Sequence, residues 1–212
     1  RTDLISPDRL CLYVDKEAVR EVCRFVFREM DARYVISVGL DDRPYSGHFL
    51  VSHNFAFDRD GILAALLTEL PSEKPEIPSI ADIVPAAGWA EREFRDLVGI
   101  EPKGHPYPKR LVLPDGWPDG AHPLRKDYAW NEVPKGWDNE ASFHFDDPPE
   151  GCAVVPFGPF HPTLDEPEHF RLYVEGETVR GCEYRGFMVH RGIEKLAESV
   201  MGYNDIPMLA ER

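Results

Sequence analysis

The run Trp89-Ala90-Glu91-Arg92-Glu93-Phe94-Arg95-Asp96-Leu97-Val98-Gly99-Ile100 decides how the first hundred residues fold. It mixes both signs of charge with apolar side chains at helical spacing. Glu91 and Arg95 stand four apart, which suits an exposed ion pair worth a few tenths of a kcal/mol. Gly99 predicts a left-handed end to the helix. Just upstream, Ser79-Ile80-Ala81-Asp82 has capping-box form, with Asp in the usual Glu place. The pattern predicts a helix that starts there, breaks near Pro85 and resumes through Trp89 to Leu97. Glu93 and Asp96 could bind a partner's arginine; a solvated charged face is the plainer alternative.

Ahead of this helix the chain is patterned for strands. Leu10 to Val14 is a short apolar run, and Asp15 is placed to cap a helix over Lys16 to Met30. The buried stripe of that helix is Ala18, Val19, Val22, Cys23, Val26 and Met30. Arg33 to Leu40 alternates as a strand, and residues 41–47 carry turn chemistry. His48 to Phe57 is its partner strand, with Phe49, Val51, His53, Phe55 and Phe57 on one face. His48 and His53 therefore read as strand residues in or beside a core. Ile62 to Leu70 has a helix's Ala and Leu content, but its length and flanks favour a buried strand.

Residues 100 to about 150 are rich in Pro, Gly, His and Trp. A stretch this long without periodicity reads as an arm lying on a partner, or as a functional loop. Beyond it, Val154 to Phe157 is a short strand. Phe170 to Val174 and Val179 to Tyr184 form a hairpin about Glu175-Gly176-Glu177. Phe187 to Val200 reads as a helix, Gly202 interrupts it, and Asp205 to Arg212 begins another. The expected division is 1–130, a linker over 131–151, and 152–212.

Net charge is −14, which argues against a nucleic-acid binder, since phosphate requires an excess of Lys and Arg. The four cysteines, Cys11, Cys23, Cys152 and Cys182, include no Cys-x-x-Cys pair. That favours reduced thiols and a cytoplasmic compartment. The opening residues carry no signal-peptide pattern, and the longest clean apolar run, Ile62 to Leu67, is far short of a membrane span.

Two further stretches carry chemistry. His122-Pro123-Leu124-Arg125-Lys126-Asp127-Tyr128 is a Pro-flanked loop whose charges could pin two chains together. Gly158-Pro159-Phe160-His161-Pro162 places His161 in a Pro-bounded turn, and it is followed by His190-Arg191-Gly192-Ile193-Glu194-Lys195. Arg191 and Glu194 would share a helix face, as a proton relay or as a plain salt bridge.

The Trp-Ala-Glu-Arg-Glu helix, the Gly104-His105-Pro106 turn and the Pro-Leu-Arg-Lys-Asp-Tyr end resemble the hydrophilic 30 kDa-type subunit of respiratory NADH:quinone oxidoreductase. Gly-Pro-x-His-Pro and His-Arg-Gly-x-Glu-Lys resemble the start of the large subunit shared by complex I and nickel–iron hydrogenases. The chain thus resembles a fusion of the two, as in energy-converting hydrogenases of formate-hydrogenlyase type. Leu209-Ala210-Glu211-Arg212 and the loop Leu164 to Phe170 resemble the hydrogenase branch more than the quinone branch.

The resemblance implies an α+β chain: an N-terminal α/β lobe with a mixed sheet and flanking helices, an irregular arm, then a β-hairpin with helices. It implies a peripheral subunit on the cytoplasmic side of a membrane, passing electrons from NADH or another donor towards protons or quinone. Iron–sulfur clusters would lie in partners, namely an iron–sulfur small subunit and the remainder of the large subunit. A nickel–iron centre would belong to the full large subunit, with no metal held by these 212 residues. Glu166, or else Glu168, would lie near a proton exit, His161 near the substrate cavity, and Arg191 and Glu194 beside the metal site. Glu91, Arg92, Glu93, His105, Arg125, Lys126 and Asp127 would contact partners.

Overall fold

The alternating segments of the first half pair into one sheet in the computed structural model, which describes residues 2–211. Strands β1 (Thr2–Ser6) and β2 (Arg9–Tyr13) form a hairpin. Strands β3 (Arg33–Asp41), β4 (Phe49–Phe57) and β5 (Ile62–Leu70) form an antiparallel meander. Because β2 runs parallel to β5, the sheet is mixed, with order β1-β2-β5-β4-β3. The ambiguous segment 62–70 is a strand: Ala64, Leu66, Thr68 and Leu70 are buried while Leu63 and Glu69 are exposed. That period of two is incompatible with a helix. His53 is fully buried on β4, with Nδ1 2.7 Å from Ser37 Oγ, whereas His48 is exposed just before the strand.

The helix expected over 16–30 is shorter and mixed in type. Helix α1 spans Val19–Arg24 and continues as a π-helical turn over Phe25–Glu29. Asp15 does not cap it through its side chain; the first helical turn follows Ala18, which has no side-chain cap. Val19, Cys23 and Val26 are buried as expected, but Met30 is exposed. The Met30 N–H bonds to the Phe25 carbonyl, five residues back, so the wider turn rotates Met30 off the stripe.

The capping-box segment does not start the main helix. Residues 80–84 make one turn, closed by the Val84 N–H on the Ile80 carbonyl at 2.8 Å. Helix α3 begins at Ala87 and runs to Val98, after the one-turn α2 (Arg43–Ser46). Pro85 has no N–H to continue the first turn into the second. Helix α3 packs on β3 at Gly39, where an added Cβ would stand 2.5 Å from Phe94 Cβ. Strands β6 (Glu76–Pro78) and β7 (Glu101–Lys103) pair in parallel on either side of α3 in sequence.

The chain divides into two units, residues up to 109 with 122–129, and residues 110–121 with 130 onward. Segment 110–121 therefore groups with the second unit. The Asp138 N–H bonds to the Gly116 carbonyl at 3.0 Å, and Trp117 meets Trp137 at 5.4 Å.

In that unit β8 (Ala153–Phe157), β9 (His169–Glu175) and β10 (Thr178–Arg185) form an antiparallel sheet of order β10-β9-β8. Helices α4 (Ile193–Ser199) and α5 (Ile206–Ala210) follow. The helix expected from Phe187 starts only at Ile193. Phe187 and Gly192 have φ of 60° and 66°, which a right-handed helix excludes. Of the helix expected from Asp205, Arg212 lies outside the described residues. Among the described residues no helix is long and apolar enough to cross a membrane.

Candidate functional site

Helix α3 gathers the first set of expected residues, and the structure turns most of them inward. Glu91 is fully buried. Its carboxylate accepts from Ser79 Oγ at 2.5 Å and from the Ile80 N–H at 2.7 Å. The exposed Glu91–Arg95 pair is thus replaced: Arg95 donates to Glu101 at 3.0 Å and to the Pro108 carbonyl. Burial pushes the Glu91 pKa up to about 7, against the two hydrogen bonds that lower it. Arg92 is also buried, donating to the Lys109 carbonyl at 2.7 Å with its guanidinium over the Tyr107 ring. The solvated charged face is therefore the minority of this helix; Glu93 is half-buried on it.

His105 closes on the same place. Its Nε2 donates to the Gly88 carbonyl at 3.0 Å, and its Nδ1 accepts the Tyr107 N–H at 2.9 Å. Both nitrogens are committed in a neutral ring, and burial lowers its pKa. His105 Nε2 lies 3.9 Å from Glu91 Oε2. Burial favours the neutral form of each, so the two meet as a neutral pair where Glu91 is protonated.

The loop His122–Asp127 completes the other end of α3. A helix leaves its last four carbonyls without helical partners. Here the Gly99 N–H takes Arg95 and Phe94, His122 Nδ1 takes Asp96 at 2.9 Å, the Leu124 N–H takes Leu97 at 2.9 Å, and Arg125 Nε takes Val98 at 2.8 Å. Gly99 must be glycine twice over. Its φ is +79°, and a Cβ there would lie 2.5 Å from Arg125 and His122 atoms. The guanidinium of Arg125 also rests over the Phe49 ring, 5.2 Å from its centre.

Asp41, at the end of β3, anchors the same loop. Its buried carboxylate accepts from Arg43 at 2.6 and 2.7 Å and from the Lys126 N–H at 2.7 Å. Burial raises its pKa, but the Arg43 and Lys126 bonds outweigh it and hold Asp41 below the usual carboxylate range. Arg43 reaches on to Asp127 at 3.0 Å. Lys126 and Asp127 are exposed. The sequence marks Asp41 and Arg43 only as turn residues and Ser79 only as a helix cap; their bonds to Lys126, Asp127 and Glu91 join segments apart in sequence and show only in the fold.

The second unit holds the other expected set. His161 and Glu166 line one open hollow of about 430 Å³, with Pro159, Phe160 and Pro167. His161 Nδ1 lies 2.9 Å from Thr163 Oγ1, and the ring packs on Phe157 at 4.1 Å. Glu168 instead accepts from the Tyr184 hydroxyl at 3.1 Å. Arg191 precedes α4 rather than lying on it, and it donates to the Leu209 carbonyl at 3.3 Å. Glu194 is in the first turn of α4 and exposed. The expected Arg191–Glu194 helix face is therefore absent, because Gly192 starts the helix between them. Among the described residues, no hydrogen bond or ion pair joins His161 or Glu166 to Arg191 or Glu194.

No group of three or more His, Cys, Asp or Glu residues able to hold a metal occurs among the described residues, and the four cysteines are free thiols. A nickel–iron centre requires a thiolate set, and these residues do not fit one.

A mixed sheet carrying a loop-capped helix, followed by a three-stranded sheet, defines an α+β structural lobe with an appended second unit. Residues 12–134 match the family described as respiratory-chain NADH dehydrogenase, 30 Kd subunit, and the chain belongs to it. It is 40% identical over 211 residues to formate hydrogenlyase subunit 5 of Escherichia coli, covering 98% of this chain and 37% of that protein. It is 33% identical over 183 residues to the NADH-quinone oxidoreductase C/D subunit of Gluconacetobacter diazotrophicus, covering 78% of this chain and 30% of that protein. The chain thus spans well under half the length of these relatives. In fold it is similar to a chain of the membrane-bound sulfane sulfur reductase, an archaeal respiratory membrane complex. That similarity has a TM-score of 0.52 at 21% identity and covers 68% of this chain and 90% of that one.

Proposed function

We propose that this chain is the supporting front part of an oxidoreductase subunit in a membrane-bound complex of the complex I and energy-converting hydrogenase type. Electrons from NADH or another donor reach protons or quinone through iron–sulfur clusters held by partner subunits, and a nickel–iron centre belongs to the rest of the large subunit. The first unit acts as scaffold on the cytoplasmic side of the membrane. Its inward charges fix α3 and its capping loop, and the half-buried Glu93 with the exposed Lys126 and Asp127 forms the side that meets partners. In the second unit His161, Glu166 or Glu168, Arg191 and Glu194 stand towards the reacting centre completed by the rest of the subunit.

One observation carries this reading. The likeness to formate hydrogenlyase subunit 5 runs through 98% of the chain, well beyond residue 134 where the 30 kDa match ends. A second reading, a docking or assembly module, is favoured by Glu91, Arg92 and Asp41 being engaged in hydrogen bonds within the first unit.

The test is purification of the intact protein from its native host under mild conditions, with analysis of nickel, quinone and co-purifying chains. Nickel together with an iron–sulfur subunit is the expected result. Quinone without nickel moves the protein to the respiratory branch. Partners without any redox group favour the docking module.

A further inference from the structure

Residues Phe143-His144-Phe145-Asp146 lie against β9 and β10 and are held by side chains in place of a neighbouring strand. The His144 N–H donates to Asp115 at 2.9 Å, and its carbonyl accepts from Arg185 at 2.8 Å. The Asp146 N–H donates to Glu183 at 3.0 Å, while its carbonyl accepts from Arg171 at 3.1 Å and from the Tyr173 hydroxyl at 3.4 Å. All four main-chain polar groups of these two alternate residues are thereby satisfied.

The intervening residues contribute their rings. Phe143 lies beneath the Arg185 guanidinium at 5.5 Å, and Phe145 beneath that of Arg171 at 4.7 Å. Phe145 also meets the His169 ring at 5.3 Å. Main chain and ring alternate along the segment, so the contacts read rings at Phe143 and Phe145 and main chain alone at His144 and Asp146.

The receiving surface is charged and buried. Glu183 and Arg185 are 5% and 7% exposed, two residues apart on β10 and so on one face. Buried charges of this kind need partners, and the segment supplies several. The match is incomplete, since Arg185 Nε is buried without an acceptor. A clamp that leaves a donor unused holds its occupant less firmly than it could.

We propose that the face formed by Arg171, Tyr173, Glu183 and Arg185 is a docking groove for a short extended peptide segment of aromatic-x-aromatic pattern. In this chain its own residues 143–146 occupy the groove as an exchangeable latch on the arm. The groove is independent of the electron-transfer reading.

The test uses the whole 212-residue chain and a fluorescent synthetic peptide with the sequence of residues 139–147. An occupant tethered in the same chain competes at high effective concentration, so the wild type binds the peptide weakly. F143A/F145A removes the rings of the resident segment and is expected to bind the peptide at least about tenfold more tightly by anisotropy. Adding E183Q should reverse the gain. Equal affinity of wild type and F143A/F145A, or a gain that survives E183Q, overturns the proposal. Amide exchange on the wild type gives a test that needs no variant. Slow exchange at His144 and Asp146 is expected, and exchange at the unprotected rate at both overturns the latch.

Discussion

The Nε–H of Arg125 lies 2.8 Å from the carbonyl oxygen of Val98, the last residue of α3. This bond makes a loop far along the chain into the end cap of the central helix. It also places a cation where the helix dipole is negative. Arg125→Met removes both and strands a buried carbonyl, at an expected cost of about 2 kcal/mol. Arg125→Lys keeps the charge without the planar fork and should fall between. Urea denaturation measures both, and an unchanged midpoint for Arg125→Met would contradict the capping role.

Glu91 sets a pH dependence. Its pKa in the folded chain is about 7, against 4.5 as the ordinary value. A raised value means that stability is fully present below the ordinary pKa. It is lost as pH climbs towards 7, because the unfolded chain ionises first. The loss is of the order of 3 kcal/mol. His105, whose pKa burial lowers, produces a slope of opposite sign on the acid side of 6.5. The informative quantity is therefore the difference between wild type and Glu91→Gln from pH 4.5 to 7.5. The variant should gain on the wild type as pH rises, and parallel curves would sink the assignment.

Asp41 works in the other direction. Its pKa is held below 3.8, so its contribution is present above that value and disappears as pH falls through the folded-state pKa. Asp41→Asn should cost about 2 kcal/mol at neutral pH and should flatten the acid limb of the stability profile. It should also loosen the Lys126 amide, which amide exchange would detect.

Close packing of α3 on the sheet makes a steric prediction. At Gly39 a methyl group would meet Phe94 Cβ at 2.5 Å, with Ile100 at 3.1 Å. The Phe94 Cβ is fixed to the helix backbone, while the Ile100 Cδ1 is the end of a side chain that can turn aside, so it is the helix that must shift. Gly39→Ala should cost about 1–3 kcal/mol. A Gly39→Ala protein with unchanged thermal midpoint would show that α3 sits farther from β3.

The strands were legible because their burial alternates, as at Phe49, Val51, His53 and Phe55. The ends of helices were less so. Nothing local announced the π-helical turn after Arg24 or the positive φ of Phe187. The capping box at Ser79 was a real local signal that served another end, since Ser79 Oγ binds Glu91 and receives the Ala81 N–H. Charge in α3 was misleading for a physical reason. A sequence pattern shows Glu91 and Arg95 as neighbours on a helix, but it cannot show that a turn eleven residues back supplies donors to one of them. The residues of the capping loop were visible as a motif, while their acceptors, Asp96, Leu97 and Val98, were visible only in three dimensions.

The most direct measurement is the metal and flavin content of the isolated 212-residue chain beside that of the intact protein purified with its partners. A supporting lobe should carry only substoichiometric metal and no flavin by itself, with nickel and iron appearing in the purified complex. A stoichiometric metal or flavin retained by the isolated chain would contradict the account.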